Sequence, residues 1–446
     1  MRSSHDGFVP GSSGCPGQRW LSGTFRITCS TWRPQPAQVV LPQARHVTAW
    51  HTVGSPFLVG SWYCTSYAIY PCGYCDGQAS RRGAVMGTEL SATELARLIG
   101  TTDEPLLLDV REPHEVAEWS ITGVVNVPLG ELAARLDEIP AGCRVVTVCA
   151  KGNRSRAAAQ LLEAAGFDVA NLAGGMEAWG QVYDTAMLQV PGAGIVQVRR
   201  RGKGCLSYLV GAGGEAYAVD PSLDSEVYLR AAAQLGWHIT RVFDTHLHAD
   251  HLSGARQLAG LAGASLHLNP ADPFAFEFTP LSDGDRFSLP GGTTLSVAVL
   301  HTPGHTEGST MFFVGASAVL SGDTVFVDGV GRPDLAERAE EFACNLHRSL
   351  SERVLTLPDR VTVLPAHYGD GVAVVPGQPV GARLGDLRRT LAPLSMDTGA
   401  FVAWATARVS ERPPNYVAII KANMGLGNRS AALVRELEAG PNRCSA

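Results

Sequence analysis

Hydrophobic and polar positions along the chain change rhythm in a way that divides it. From Ser91 the rhythm is regular: Ser91 and Glu94 form a capping box ahead of "ELARLIG", which predicts a helix. The unbroken apolar run in "PLLLDVRE" (105–112) predicts a short buried strand, "ELAARLDEI" (131–139) a helix, "RVVTVCA" (144–150) a strand and "RSRAAAQLLEAAG" (154–166) a helix. Strands alternating with helices predict a parallel α/β sheet over residues 88–181, after which 181–191 reads as a connector. Then "GIVQVRR" (194–200), "CLSYLVGA" (205–212) and "EAYAVDPS" (215–222) predict strands, "EVYLRAAAQLG" (226–236) a helix and "ITRVFDTHLH" (239–248) another strand. The runs "TLSVAVLHT", "STMFFVG" and "AVLSGDTVFV" continue the series. Several end in a histidine or aspartate, where α/β sites gather. After about residue 380 the spacing turns helical, with "RPPNY" (412–416) between two helices. Residues 1–85 hold no sustained period and no Lys or Glu, so they are assigned no element, and Met86 is the expected start of translation. The resulting plan is an irregular segment 1–85, a domain 88–181, a domain 190–390 and a helical extension 391–446.

Composition narrows the class of molecule. A chain of 446 residues suits about three domains, and 45% hydrophobic with 17% charged residues describes a soluble globular protein. A net charge of -6 points to no nucleic-acid partner, and Arg199, Arg200 and Arg201 read as a solvated turn. The uncharged stretch 46–75 is broken by Pro56 and Pro71 and does not span a membrane. Five of the ten cysteines lie before residue 86; the cysteine-poor remainder, with no secretory signal, points to the cytoplasm. The pair Cys72 and Cys75 lacks a second pair at zinc-site spacing.

Cys149 ends a predicted strand and is followed by "AKGNR" as the chain enters a helix. The amides of such a loop point inward as an anion nest, and the helix adds its positive end. With Lys151 and Arg154 these groups lower the thiol pKa and stabilise a thiolate or persulfide, whereas a cysteine at a strand end is otherwise a small buried hydrophobe. With Asp109 and Arg111 in "LLLDVRE", Cys149 and Arg154 in "CAKGNR" and the closing "NLAGGMEAW", residues 88–181 resemble a single-domain rhodanese. The resemblance implies sulfur transfer, with a persulfide on Cys149 held by Arg154 and the loop of Ala150, Lys151, Gly152 and Asn153. The "GHIPGAxNIP" pattern common in that family appears as "WSITGVVNVP" (119–128), without its histidine.

A second constellation lies downstream. His246 and His248 stand two apart at a predicted strand end, so their side chains project to one side, and Asp250 and His251 follow. His305 in "HTPGHTEGS", Asp323 in "SGDTVFVDG" and His367 in "LPAHYG" complete seven candidates in four loops. Imidazole and carboxylate together suit zinc, iron or manganese. His114, His238, His267 and His347 read as core or surface residues. In their order, "THLHADH", "HTPGHT", "GDT" and "PAH" resemble the metallo-β-lactamase fold over residues 194–380. That implies an αββα sandwich with metal at one edge of its two sheets. The expected fold is therefore α/β: a rhodanese-like domain, this sandwich, then a helical C-terminal extension.

The frame hosts hydrolases and oxygenases alike. "GVGRPDL" (329–335) looks like the "GCGRTDF" stretch of persulfide dioxygenases, whereas the two-metal thioester hydrolase glyoxalase II tends to show a "GCGRFFEG"-like segment. The dioxygenase resemblance implies one Fe(II) per chain on His246, His305 and Asp323, with positions open for dioxygen and thiolate. His248, Asp250, His251 and His367 would then support it. They also match the second metal's ligands in the hydrolases, so one or two Zn(II) remain open. Thr306, Arg332 and Tyr368 resemble the thiol pocket of the dioxygenases, Arg332 pairing with a substrate carboxylate or with Asp334. The expected partners are a small-molecule thiol persulfide, O2, and sulfite or thiosulfate. A thioester hydrolase and a non-catalytic sulfur- or metal-binding module are the alternatives.

Overall fold

Four of the five strands in the first sheet are the short apolar runs of residues 88–172, and all five run parallel. The order is Thr88–Leu90, Val169–Leu172, Val145–Val148, Leu106–Asp109, Val125–Asn126. The computed structural model describes residues 88–290, 296–333, 338–369, 371–408, 415–427 and 430–440. Cys72, Cys75, Met86, Asp334 and most of "RPPNY" lie outside them. Val145–Val148 is buried at all four positions because helices cover both faces of the sheet, which is why the run does not alternate. Helices Ala92–Leu98 and Gly175–Trp179 share one core, and Asn153–Ala164 packs in the other. The capping box at Ser91 is present. The helix expected over 131–139 is instead two single 3-10 turns, Leu132–Ala134 and Leu136–Glu138. Only Leu132 and Ile139 are buried there, and Arg135 is spent on Glu131 and Glu138, so no apolar stripe repays the ordering of a longer helix.

Residues 183–383 form two facing sheets. The first has seven strands in the order Thr279–Pro280, Ser265–Leu268, His238–Phe243, Glu215–Val219, Cys205–Ala212, Ala193–Arg200, Tyr183–Val190. The second has six: Arg286–Ser288, Ser296–His301, Thr310–Val314, Ala318–Gly322, Thr362–Pro365, Ala382–Arg383. Alternate residues of each strand serve different cores. Ile195, Tyr208, Val210 and Phe243 meet Val299, Phe312, Leu320 and Leu364 between the sheets. Val196, Leu209 and Val242 meet helices Ser225–Gln234 and Ala255–Ala262 outside the first, and Met311, Val319 and Val363 meet Ala339–Ser349 and Leu384–Thr390 outside the second. This is the expected αββα arrangement.

The connector expected over 181–191 is the edge strand Tyr183–Val190, paired with Ala193–Arg200 along its whole length. Only its Ala186 and Val190 are buried, so its alternation was thin. Arg199 and Arg200, expected in a solvated turn, are buried strand residues whose partners lie far off in sequence: Asp184, Val375 and Gln378 carbonyls for Arg199, the Gly180 carbonyl and Glu438 for Arg200. The parallel-sheet domain and the sandwich touch through Trp119 Nε1, which donates to the Gly202 carbonyl at 2.7 Å. Beside that contact lies a cleft of about 550 Å3 lined by Trp119, Trp179, Arg201, Lys203 and Tyr368. The last helices, Tyr416–Asn423 and Ala431–Leu437, pack against Leu252. Among the described residues no helix is long and apolar enough to cross a membrane.

Candidate metal centre and cysteine loop

Cys149 is buried at the end of strand Val145–Val148, and the chain turns at once into helix Asn153–Ala164. The turn needs Gly152, which sits at φ 89° with Gly174 N 3.1 Å from where a Cβ would stand. Gly152 N donates to Cys149 Sγ at 3.1 Å and Ser155 Oγ donates at 3.2 Å. Burial pushes the thiol up, but the Ser155 hydroxyl and the amides of Ser155, Lys151 and Gly152 outweigh it and leave the pKa below its ordinary value. The expected cations act less directly. Lys151 pairs with Glu177 at 3.1 Å on the surface. Arg154 forks onto Glu115 with both contacts at 2.7 Å and, through those hydrogen bonds, holds the Glu115 carboxyl at about 2. Arg111 is itself locked on buried Asp109 and donates to the carbonyls of Glu115 and Trp119, which fixes the segment that presents Glu115. Gly175 is required because a Cβ there would lie 2.1 Å from the Cys149 carbonyl oxygen. Ser155 was overlooked in the sequence, although it lies within the quoted helix "RSRAAAQLLEAAG".

The histidine-rich motif stands beyond a strand. His238–Phe243 ends before Asp244, so His246 and His248 lie in a loop and owe their 4.2 Å ring spacing to loop geometry, not to strand alternation. Asp220, a non-glycine residue at φ 53°, accepts from Thr245 N at 2.6 Å and Thr245 Oγ1 at 2.9 Å, which sets the loop's course.

His246, His305 and Asp323 converge with ligand atoms bare. Asp323 Oδ2 lies 3.6 Å from His246 Nε2 and 3.4 Å from His305 Nε2, and these three buried atoms have no hydrogen-bond partner. Buried polar atoms left so cost about 1–3 kcal/mol each, and a cation among them removes that cost. The far side of each ligand is held: His246 Nδ1 is 2.9 Å from Thr245 Oγ1, His305 Nδ1 donates to the Arg332 carbonyl at 2.9 Å, and Asp323 Oδ1 accepts from His367 Nδ1 at 2.7 Å. Burial, reinforced for His246 by His248, lowers both imidazole pKa values and favours the neutral form a metal needs.

A second group adjoins it. His251 Nδ1 lies 3.0 Å from Asp250 Oδ1, and His367 Nε2 lies 2.8 Å from Asp250 Oδ2. Cys205 Sγ, 3.7 Å from Asp250 Oδ2, completes the group and was not singled out from the sequence. His248 takes a third place, its Nε2 3.2 Å from Asp220 Oδ1 and its Nδ1 bare.

Thr306 and Arg332 flank His305; Thr306 Oγ1 contacts Asp272 and Ser309, and Arg332 is buried. Tyr368 instead lines the cleft between the domains, its phenol pushed by burial to about 12. The C-terminal extension reaches the metal loop. Asn423 Nδ2 donates to the carbonyls of His248 and His251 at 2.9 and 2.8 Å, its Oδ1 accepts from Ser253 N at 3.0 Å, and Glu438 accepts from Leu252 N at 2.6 Å.

Comparison with known proteins assigns residues 91–181 to the rhodanese-like domain and 200–367 to the metallo-beta-lactamase superfamily. A hydroxyacylglutathione hydrolase of Fuscovulum blasticum is 32% identical over 193 residues, 40% of this chain and 71% of that protein. One of Methylobacillus flagellatus is 35% identical over 119 residues, 27% of this chain and 46% of that protein. Over several such relatives the chain spans 46% to 71% of their length. Among solved structures, a Staphylococcus aureus metallo-beta-lactamase is 27% identical with a TM-score of 0.48, covering 55% of this chain and 74% of that one. ETHE1 from Myxococcus xanthus is 26% identical with a TM-score of 0.45, covering 55% of this chain and 100% of that one. Given the relative matched over 71% of its length, the chain belongs to the metallo-beta-lactamase superfamily as a glyoxalase II-like member, with a rhodanese-like domain ahead of that fold.

Proposed function

We propose that this chain oxidises a low-molecular-weight thiol persulfide with dioxygen at one ferrous ion held by His246, His305 and Asp323, and that Cys149 carries sulfane sulfur to or from that reaction. In balance, one persulfide, one dioxygen and one water give one thiol, one sulfite and two protons. The observation that carries the reading is the disposition of Asp323. Its Oδ2 is the bare oxygen beside the two bare imidazole nitrogens, while Oδ1 is occupied by His367 Nδ1, so the carboxylate offers one oxygen to one ion. Two imidazoles and one such oxygen leave positions open on an ion that prefers six. Iron there supplies the one-electron oxygen chemistry that no side chain provides.

The chain's own groups do the rest. The Arg332 carbonyl fixes the His305 tautomer, His367 steadies the Asp323 charge, and burial of all three ligands keeps bulk water away. At Cys149 the loop amides and Ser155 stabilise a sulfur anion, which is the charge on the outer sulfur of a persulfide. The test is oxygen uptake by iron-loaded protein given glutathione persulfide, with sulfite formed one for one. No uptake, together with thioester cleavage by zinc-loaded protein, overturns the reading in favour of a hydroxyacyl-thiol hydrolase. That second reading is supported by the curated relatives and by the bare Nδ1 of His248, but it gives Cys149 no part.

A further inference from the structure

Cys205 lies 45 residues before Asp250 in sequence, yet its Sγ and the ligand atoms of Asp250, His251 and His367 all fall within 4.8 Å of one another. All four residues are buried, at 2 to 4% exposure. What brings them together is backbone structure. Cys205 opens a strand of the first sheet, His367 follows a strand of the second, and the two residues form an antiparallel bridge, reinforced by Leu206 N donating to the Ala366 carbonyl at 2.6 Å. The sheets therefore close on each other at this spot, and the thiol is held where they meet. Two buried ring nitrogens in the group, His251 Nε2 and His367 Nε2, have no hydrogen-bond partner, although each sits among the other donors.

We infer that Cys205, Asp250, His251 and His367 form a closed four-ligand site for a thiophilic divalent cation of the zinc class, separate from the open centre at His246, His305 and Asp323. One thiolate, two imidazoles and one carboxylate make the donor set of a tetrahedral zinc site, and four protein ligands leave it no position for a substrate. The open centre has three protein donors and a reactive role; the closed one has four and holds the seam between the sheets. Binding replaces the Cys205 S–H by a sulfur–metal bond and releases that proton to solvent. His367 then has its usual second partner in place, because its other nitrogen already donates to Asp323 Oδ1. The inference does not depend on which reaction the open centre performs.

Metal-free full-length protein is titrated with Cd(II) and with Co(II) while the thiolate-to-metal charge-transfer absorption in the near ultraviolet is followed. The expected result is a band that saturates with the ion, persists in Cys149→Ser and His246→Ala, and is lost from Cys205→Ser. A band of undiminished strength in a folded Cys205→Ser variant overturns the inference. Where that variant fails to fold, X-ray absorption at the zinc edge of His246→Ala protein decides: one sulfur neighbour at about 2.3 Å is expected. A shell of nitrogen and oxygen alone, or no retained zinc, overturns it. Loss of oxygen uptake in His246→Ala with the band intact separates this site from the proposed reaction.

Discussion

The cysteine loop and the metal centre are built by opposite means. Cys149, Gly152, Arg154 and Ser155 lie within seven residues, and the hydrogen bonds to sulfur come from the loop's own amide and first helical turn. The open metal centre draws its ligands from residues 246, 305 and 323, and their supports come from as far away as Asn423 and Glu438. A local site stands or falls with its own turn. A dispersed one depends on every element that presses its loops into register, so damage far from the ligands reaches it.

The sharpest way to break this contrast is a pair of reciprocal knockouts. Cys149→Ala is expected to abolish sulfur transfer from thiosulfate to cyanide, a loss of roughly three orders of magnitude or more as for other nucleophiles, while oxygen uptake stays near wild type. His246→Ala is expected to do the reverse, with iron content measured alongside. If either variant lost both activities in a folded protein, the independence of the two sites would be refuted.

A smaller effect tests the long reach of the metal centre. Asn423→Ala leaves the carbonyls of His248 and His251 and the Ser253 amide without their partner, and should cost about 2–4 kcal/mol in chemical denaturation. Iron retention should fall with it, and sulfur transfer at Cys149 should not. Equal losses at both sites would show that the extension supports the whole molecule, not the metal loop.

Two further changes stay within the local site. Ser155→Ala removes the hydroxyl that stabilises the Cys149 thiolate, so the thiol pKa rises. The pH profile of sulfur transfer should move to the alkaline side, with a roughly tenfold drop at neutral pH and an unmoved profile for oxygen uptake. Glu115→Gln has the least effect, about 0.5 kcal/mol for a partly exposed pair. Its pH signature is specific. The folded carboxyl sits at about 2 against an ordinary 4.5, so its stabilisation is present above 4.5 and is lost as pH falls from 4.5 toward 2. Acid titration of unfolding should be flatter in the variant across that window.

Legibility in the sequence follows the same division. The capping box at Ser91, the buried strand ending before Cys149 and the glycine turn after it are short-range patterns, and each appears in the structure where the residues suggested. The order of histidine and aspartate motifs disclosed the sandwich because each motif ends or follows a strand. What escaped notice was long-range. Cys205 is one small apolar-looking residue at the start of a strand until the bridge to His367 gives it neighbours. Asn423 and Glu438 look like surface positions of helical segments, since nothing in their own stretch reveals the amides and carbonyls waiting near residue 250. Arg199 and Arg200 misled for the same reason: charge in a triplet suggests solvent, but their partners lie at Asp184 and at the end of the chain.

Arg200 has a consequence for how such a chain could arise and be inherited. Its guanidinium donates to the Gly180 carbonyl, the last turn of the parallel-sheet domain, and pairs with Glu438, whose other oxygen receives the Leu252 amide beside the metal ligands. One side chain thus ties three stretches of polypeptide that gene fusion would have brought in separately. Recombination that swapped either neighbour for an unrelated module would strand a buried cation, a cost of several kcal/mol. The pieces are therefore no longer interchangeable cassettes, and descent should carry them as one unit.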